Sequence, residues 1–367
     1  MYRAEELFKN ITDKNHPTET VLTIIQGKGT LPREEAGRNI HYDDASLSNY
    51  KRVEQGDYII HLRSFEGGLE MANEDGIVSP AYTILRCKKP HSSLFYRAYF
   101  HTDEFINHIL SKSVEGIRDG RQISYDAFKW LGLPYCNVSE QEKISQLFYT
   151  LNRRIEKQQQ MVNALKKYKR GVVSAILSHQ IIFCDVDGKP YPEWTSCTLQ
   201  DAVDFLDGQR KPLESADRAR RQGSYPYYGA SGIIDYIDDY IFDESLLLLG
   251  EDGANIINRS TPLCFIATGK YWVNNHAHVM RPKNGHNIKF LCELLESLDY
   301  TRYNTGTAQP KLNQEKCRGI ELVLPIYEEQ CHIADFLSSL DQKSEREQDT
   351  LDCLHLFKRG MMQQLFI

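Results

Sequence analysis

Two groups of residues in the second half of the chain have types and a spacing that could support chemistry. The turn Gly250-Glu251-Asp252-Gly253 places two carboxylates where they could hold a cation, and His276 and His278 alternate as residues on one face of a strand do. A tight turn after a buried strand is the better interpretation of the first group. Because no third ligand stands at metal spacing, hydrogen-bonded histidines are the better interpretation of the second. We therefore predict no metal site.

Motifs of the common enzyme classes are absent from the sequence. There is no phosphate-binding GxxxxGK[ST], no dinucleotide-binding GxGxxG, no HExxH and no GxSxG. The Asp/Asn-Pro-Pro-Tyr tetrapeptide of amino-methyltransferases and the Glu-X-Lys of many nuclease sites are also missing. We therefore expect a protein that is not an enzyme by itself, and we assign no catalytic residue.

Composition and charge restrict the class of protein further. The chain has 367 residues, 41% hydrophobic and 26% charged, which is an ordinary globular composition and enough for two or three domains. Because no apolar run approaches ~18 residues, we expect a cytoplasmic protein without a membrane span. Nine cysteines without a Cys-X-X-Cys pair indicate reduced thiols. The net charge of −6 argues against binding of nucleic acid by bulk positive charge, so any DNA contact must be local or shared with partners.

One long segment recurs at an offset of 189 residues. Gln141-Glu142-Lys143-Ile144 corresponds to Gln330-Cys331-His332-Ile333, and Lys169-Arg170-Gly171 corresponds to Lys358-Arg359-Gly360. A Leu-Pro pair precedes each copy. The pattern indicates a tandem duplication.

Both copies predict a long helix that packs on another helix. Apolar residues recur in alternating steps of four and three, interrupted only by a few polar residues such as Gln158 and Lys169. This spacing predicts helices over about 140–178 and 328–366. The apolar residues of the two seams are Ile144, Phe148, Leu151, Ile155, Val162 and Leu165, and Ile333, Leu337, Leu340, Leu351 and Leu354.

The two predicted helices carry opposite charges. Residues 140–179 contain eight Lys/Arg against three Asp/Glu, a net charge of +5, and residues 328–367 contain four against eight, a net charge of −4. Opposite charges favour an intramolecular pair over self-association. We expect an antiparallel coiled coil; two solvated helix faces are the alternative.

The rest of the chain has the pattern of mixed α/β domains. Short apolar or alternating runs predict strands at 56–62, 77–85, 245–249 and 273–280, separated by glycine-rich turns. The expected fold class is α/β (α+β), with two similar domains in tandem separated by the helix pair in pseudo-two-fold symmetry. The expected segments are a first domain over 1–139, a helix over 140–179, a linker and second domain over 180–327, and a second helix over 328–367.

Several segments in a duplicated order carry a resemblance to one family. They are Gly56-Asp57-Tyr58-Ile59-Ile60, Leu62-Arg63-Ser64-Phe65-Glu66-Gly67-Gly68, Gly76-Ile77-Val78-Ser79-Pro80-Ala81-Tyr82, Tyr228-Gly229-Ala230-Ser231-Gly232, Gly250-Glu251-Asp252-Gly253-Ala254, Trp272-Val273-Asn274-Asn275-His276-Ala277-His278 and Gly306-Thr307-Ala308-Gln309-Pro310-Lys311-Leu312. Over nearly its whole length, the chain resembles the specificity subunit of a type I restriction-modification system.

The resemblance implies a function without catalysis in this chain. Each domain would be a target-recognition domain that reads one half of a bipartite sequence in double-stranded DNA. The helices would set the spacer between the half-sites and dock two modification subunits. The modification (methyltransferase) subunits would carry S-adenosylmethionine and the adenine methylation, and restriction (motor-nuclease) subunits would use ATP and Mg²⁺. This chain itself would hold no cofactor.

Candidate DNA contacts are polar and basic residues on loops, because such side chains read base edges and phosphates. Two glycine-containing loops, at 118–125 and 303–311, occupy the same place in the two halves. Solvated loops are the alternative for both, and Arg218, Arg220 and Arg221 suit phosphate contacts or a solvated helix face. The candidates are Arg63, Ser64, Arg118, Arg121 and Gln122 in the first domain, and Lys211, Arg218, Arg220, Arg221, Tyr228, Ser231, Thr307, Gln309 and Lys311 in the second.

Two other classes of function remain open at this point. The chain could be a stand-alone DNA-modifying enzyme whose site is not recognisable in the sequence, and purified chain would then react with DNA alone. It could also be a coiled-coil scaffold that binds only protein, and it would then show no sequence-selective retention of DNA.

Overall fold

The structure, a computed structural model, describes residues 1–36, 44–116, 122–306 and 309–366. It divides into two compact units. Unit 1 comprises Met1–Gln160 with Asp349–Ile367, and unit 2 comprises Met161–Gln348. Each unit therefore contains one mixed α/β domain and a part of both long helices. Within the described ranges, no helix has the length and hydropathy needed to cross a bilayer.

Unit 1 is built from short strands and helices. The strands are β1 (Tyr2–Arg3), β2 (Phe8–Ile11), β3 (Leu22–Ile25), β4 (Gly29–Pro32), β5 (Lys51–Val53), β6 (Tyr58–Ile60), β7 (Glu70–Met71), β8 (Gly76–Val78), β9 (Thr83–Cys87), β10 (Val114–Glu115), β11 (Gln122–Ile123) and β12 (Gly132–Leu133). The helices are α1 (Ala4–Leu7), α2 (Ser64–Gly67), α3 (Ser93–Tyr99), α4 (Tyr125–Phe128) and the first part of α5 (Val138–Leu177), with a π-helical turn at Glu104–Ile109 and 3₁₀ turns at Arg33–Ala36, Asp44–Asn49 and Leu110–Ser113.

Unit 2 has a similar set of elements. The strands are β13 (Thr195–Thr198), β14 (Val203–Phe205), β15 (Gln222–Gly229), β16 (Gly232–Ile237), β17 (Phe242–Asp243), β18 (Leu246–Gly250), β19 (Cys264–Ala267), β20 (Lys270–Val273), β21 (Ala277–Pro282) and β22 (Glu321–Leu324). The helices are α6 (Leu199–Ala202), α7 (Ser215–Arg220), α8 (Asn255–Asn258), α9 (Ile288–Ser297), α10 (Gln314–Arg318) and α11 (Tyr327–Leu365), with 3₁₀ turns at Asp207–Gln209 and Thr301–Tyr303.

The two domains share one strand topology. An antiparallel sheet in the order β2-β9-β6-β7 in unit 1 corresponds to β14-β21-β18-β19 in unit 2. The pairs β3-β4 and β5-β8 correspond to β15-β16 and β17-β20. A parallel bridge from Val21 to Ile77 stands where β15 pairs in parallel with β20. The expected α/β fold of two similar domains is therefore confirmed.

The cores of the two units differ in chemistry. In unit 1, Phe8, Tyr58, Tyr96 and Phe100 are completely buried and contact one another edge-on or stacked. The main core of unit 2 is aliphatic, formed by Leu, Ile and Val side chains of β18, β22, α9 and the long helices. Burial of this apolar surface is the main stabilising contribution in both units.

The two long helices are confirmed within two residues of their predicted bounds. Glu140 lies in the first turn of α5, and Glu328 and Glu329 lie in that of α11, where carboxylates interact favourably with the helix dipole. Every predicted apolar seam residue is buried or half-buried. In unit 1 the Phe148 ring stacks on Phe366, with the centroids 5.7 Å apart.

In unit 2, the two helices run antiparallel. Val173 and Ile176 of α5 pack in one cluster with Ile333 and Leu337 of α11, while Lys169, earlier in α5, contacts Asp341, later in α11. The predicted pairing of the helices is therefore confirmed within this unit.

The runs 77–85 and 273–280, each predicted as one strand, are both interrupted: the first is divided between β8 and β9, and the second between β20 and β21. β20 ends at Val273 and β21 begins at Ala277, because the Asn274 side chain accepts a hydrogen bond from the His276 backbone N–H at 2.7 Å and closes a turn. His276 therefore lies in a turn and does not share a strand face with His278.

A buried glutamine joins each domain to its long helix. Gln141 is completely buried; its side chain accepts a hydrogen bond from the Ser92 N–H at 3.0 Å and donates one to the Cys136 carbonyl at 2.8 Å. Gln330 repeats both bonds, with the Asn287 N–H at 2.9 Å and the Pro325 carbonyl at 2.9 Å. Because Ser92 and Asn287 immediately precede α3 and α9, the amide fixes each domain helix against the start of a long helix.

We expect Gln330→Leu to destabilise unit 2 by about 2–4 kcal/mol, because the substitution leaves a buried N–H and a buried carbonyl without partners. Urea unfolding followed by hydrogen exchange in α9 measures the effect. The exposed Gln146→Leu on α5 is the control and should change stability by less than about 0.5 kcal/mol. Equal effects of the two substitutions would contradict the role of the buried amide.

Candidate nucleic-acid interface

Three loops of unit 2 converge at the end of β18. A Cβ atom on Gly250 would lie 2.7 Å from the Ala230 carbonyl oxygen, so only glycine lets the β15-β16 hairpin tip pack there. The Gly253 N–H donates to the Pro310 carbonyl at 3.0 Å. The Leu312 N–H donates to the Glu251 carbonyl at 2.7 Å. We call residues 229–232, 250–253, 304–306 and 309–311 the loop cluster of unit 2.

Ion pairs fix the charged side chains of this cluster. Arg210 Nη1 lies 2.8 Å from Glu251 Oε2 and 2.7 Å from the Ala277 carbonyl oxygen. Lys311 Nζ lies 3.2 Å from Glu251 Oε1. Burial alone would raise the pKa of Glu251, but the hydrogen bond from Arg210 and the nearby positive charges hold it below its ordinary value. The carboxylate therefore stays ionised and orients Lys311, which remains 49% exposed.

A buried ionic pair lies beneath the loop cluster of unit 2. His278 Nδ1 lies 2.7 Å from Asp207 Oδ2, and Nε2 lies 2.9 Å from the Leu312 carbonyl oxygen. Burial opposes the charged imidazolium, yet the hydrogen bond to Asp207, with a contribution from Cys317, raises the pKa of His278 to about 10. Both ring nitrogens therefore donate hydrogen bonds, one of them to the Leu312 carbonyl, directly after Lys311 of the loop cluster.

Unit 1 assembles the corresponding three loops with different contacts. A Cβ atom on Gly67 would collide with the Gln26 side chain at the tip of the β3-β4 hairpin. The buried Glu70 carboxylate accepts hydrogen bonds from the backbone N–H groups of Gly27 and Gly29 at 2.6 and 2.9 Å. Helix α2 contacts β11, which carries Gln122. We call residues 26–29, 61–68 and 122–123 the loop cluster of unit 1.

The predicted contact residues of the first domain have different environments. Arg63 and Gln122 are exposed within the loop cluster of unit 1. Ser64, in contrast, is completely buried, and its hydroxyl accepts a hydrogen bond from the His61 N–H at 2.8 Å, so it presents no surface to a ligand in this structure. Arg118 and Arg121 lie outside the described residues.

Several predicted residues of the second domain lie in or beside the loop cluster of unit 2. Ser231, Gln309 and Lys311 are exposed on it. Tyr228 is half-buried, because its ring packs against Phe265 and Tyr271. Thr307 lies outside the described residues.

Arg218 in α7 and Arg221 directly after it are held by aspartates in and directly after β16, and not by the three loops. Arg218 donates hydrogen bonds to Asp235 at 3.0 Å and to the Leu213 carbonyl at 2.7 Å. Arg221 pairs with Asp238 at 2.9 Å. These acidic partners compete with any phosphate for the two guanidinium groups. Arg220 and Lys211 are exposed.

Sequence reasoning missed the acids that hold the loops, Asp207 and Glu70. His278 was expected to be hydrogen-bonded, which is confirmed, but its partner lies 71 residues away along the chain. Glu70 lies 43 residues from Gly27. No local pattern marks such pairs, so the sequence held no signal for them.

Comparisons with known proteins bear on this arrangement. The family model described as a type I restriction modification DNA specificity domain matches residues 191–354. A protein described as a type I restriction enzyme specificity subunit in Haemophilus influenzae is 33% identical over 149 residues, covering 40% of this chain and 37% of its own length. The EcoprrI specificity subunit of Escherichia coli is 26% identical over 168 residues, covering 42% of this chain and 41% of its own length. The matches thus span about two fifths of each curated relative.

The solved structure of a type I restriction-modification S subunit from M. genitalium has the same fold. It covers 100% of this chain and 95% of its own length, with a TM-score of 0.60 and 14% sequence identity. Residues 191–354 of this chain are thus similar to the type I DNA specificity domain. The resemblance predicted from the sequence, to the specificity subunits of type I restriction-modification systems, is confirmed.

The His278–Asp207 pair predicts a pH dependence of stability. Because folding raises the pKa of His278 from 6.5 to about 10, its stabilisation is complete below about pH 6.5 and is lost as the pH rises toward 10. We expect His278→Gln to lack this loss between pH 7 and 10 in urea unfolding. Asp207→Ala should destabilise unit 2 by about 3 kcal/mol at pH 6, because it leaves a buried imidazolium unpaired.

The matched control is His276→Gln. His276 also bonds an aspartate, Asp252 at 2.7 Å, but its side chain is half exposed, so solvent screens the pair. If His276→Gln and His278→Gln had the same effect on the pH profile, the assignment to the buried pair would be wrong.

Proposed function

We propose that this chain is the DNA sequence-recognition subunit of a type I restriction-modification complex and is not catalytic by itself. The observation that carries the proposal is the duplicated three-loop cluster, each copy at the same place in a repeated domain, one of them within the matched specificity domain. Each cluster would read one half of a bipartite target in double-stranded DNA. Exposed Arg63 and Gln122 in unit 1, and Ser231, Gln309 and Lys311 in unit 2, have the side-chain types that contact bases and phosphates.

We also propose that the long helices dock two modification subunits and set the spacer between the half-sites. Large apolar side chains on the helices support a protein partner, since exposed apolar surface is typical of interaction sites. Tyr149, Met161 and Tyr168 of α5 are each at least 50% exposed, as are Leu356 and Phe357 of α11. Restriction subunits would join the same complex. S-adenosylmethionine, ATP and Mg²⁺ would bind to the partner subunits, where methylation and restriction take place.

Substitution in one loop cluster should change one half-site only. We expect Arg63→Ala to alter recognition of the half-site that the first domain reads, and Lys311→Ala to alter recognition of the half-site that the second domain reads. Each substitution should change the free energy that discriminates between bases at one base pair by about 1–3 kcal/mol. Methylation mapping in cells that express each variant with its partner subunits measures the change. Lys189→Ala in the exposed linker is the control. A single substitution that altered both half-sites equally would contradict the division of labour.

The purified chain should not methylate DNA. We expect no transfer from S-adenosylmethionine to DNA by this chain alone, and transfer at one bipartite motif once the modification subunits are added. Radiolabelled methyl transfer measures both reactions. Methylation by the chain alone would show that it is an enzyme. If the modification subunits methylated the same motif with and without this chain, the recognition role would be refuted.

A further inference from the structure

A lysine of unit 2 is neutralised by two carboxylates of its own unit. Lys169 Nζ on α5 lies 2.6 Å from Glu293 Oε1 of α9 and 2.6 Å from Asp341 Oδ1 of α11. Lys289 contacts the same two acids, at 2.6 and 2.5 Å. Two lysines and two carboxylates therefore form an ion-pair network that links the domain helix α9 to both long helices.

The same lysine is retained in unit 1, but its carboxylates are not. Lys358 corresponds to Lys169 at the offset of 189, and on the same offset Asn152 corresponds to Asp341. The buried glutamine bonds align Ser92 with Asn287, which places Ala98 where Glu293 stands and Leu94 where Lys289 stands. At the positions of the two carboxylates, unit 1 therefore has a methyl group, on Ala98, and an uncharged amide, on Asn152.

A cavity of about 320 Å³ occupies the corresponding place in unit 1. Ala98 and Asn152 line it together with Lys358, Arg97 and Arg153. Arg97 uses one nitrogen for the Lys28 carbonyl, at 3.3 Å, and Arg153 is exposed. The one carboxylate of the lining, Glu156, is exposed and forms no ion pair with Lys358. The walls are therefore cationic.

Lys358 lacks a counter-ion among the described residues. Burial lowers the pKa of Lys358, and no opposite charge raises it again. Lys358 is half-buried, and an ammonium held partly away from water is unfavourable unless an anion lies beside it, which the carboxylates of unit 2 provide for Lys169. The cavity has the size of a small-ligand site, and the positive charge of Lys358 in its wall is not compensated by a carboxylate of the described chain.

We propose that this cavity binds a free oxyanion, a phosphate or a small carboxylic acid, in the place that the Glu293 and Asp341 side chains take in unit 2. The ammonium of Lys358 supplies the central charge, and Arg97 and Arg153 supply further N–H donors. The cavity borders the loop cluster of unit 1, since Gly27 lines it and Arg97 bonds the Lys28 carbonyl. The charged side chains that would hold the anion are not among the proposed DNA contacts, so a test of the site does not depend on the proposed reading of DNA.

Thermal unfolding of the full chain in a phosphate titration tests the site, with sodium chloride used to keep the ionic strength constant. The unfolding temperature of the wild type should rise with phosphate and saturate, as expected for one ligand that binds only the folded state. Phosphate also stabilises many proteins without a site, by exclusion from their surface. The comparison is therefore with Lys358→Met, which keeps the length of the side chain and should lose the saturable part of the rise.

A second variant supplies the negative charge from the chain itself. Ala98→Glu with Asn152→Asp introduces the two carboxylates of unit 2 into unit 1, so without phosphate this variant should be more stable than the wild type. It should show no saturable response to phosphate. Equilibrium dialysis with radiolabelled phosphate should find one equivalent bound to the wild type and none to Lys358→Met. The same titration with acetate or citrate shows whether the site prefers a carboxylate. An identical phosphate response in the wild type and Lys358→Met, with equal binding in dialysis, would overturn the proposal.

Discussion

The side-chain amide of a buried glutamine is the point on which each domain depends. Gln141 and Gln330 are removed from water, and each satisfies one N–H at the start of a domain helix and one carbonyl just before a long helix. Both bonds are directional, so they set the position of α3 or α9 as well as its attachment. A carboxylate could not donate and an apolar side chain could do neither. One glutamine side chain per unit therefore fixes the position of α3 or α9 relative to the start of a long helix, and the core beneath that helix packs in this arrangement.

Within this repeated arrangement the two units have diverged in charge. In unit 2 the acids Glu293 and Asp341 pair with Lys169, and the core is aliphatic. In unit 1 the corresponding lysine, Lys358, lines a cationic cavity without those acids, and the core is made of aromatic rings packed edge-on or stacked. The two units can therefore share a backbone topology and differ in their charged residues. The strand order depends on backbone pairing and burial, while each charged side chain needs only a partner that is close in space.

The elements that follow a strict period could be predicted from the sequence, and the partners of individual polar side chains could not. The four-and-three spacing through Phe148, Val162 and Leu337 gave both long helices and their buried seams. The alternating run from 273 to 280 misled, because Asn274 competes with the strand by bonding the backbone two residues on. Ser64 has the residue type of a DNA contact and sits beside a glycine pair, but its burial follows from packing that no local pattern encodes.

Both loop clusters rest on a buried acid, and the acid comes from a different place in each unit. In unit 2, Asp207 holds His278, whose other nitrogen bonds the backbone beside Lys311. In unit 1, Glu70 binds the N–H groups of Gly27 and Gly29 directly. The hydrogen bonds of these buried acids are directional and costly to break. Loops held in this way lose less conformational entropy on binding. In the proposed recognition of DNA, affinity and discrimination would then depend on the few exposed side chains at the loop tips. Those side chains could change, and with them the sequence read, while the buried acids keep the loops in place.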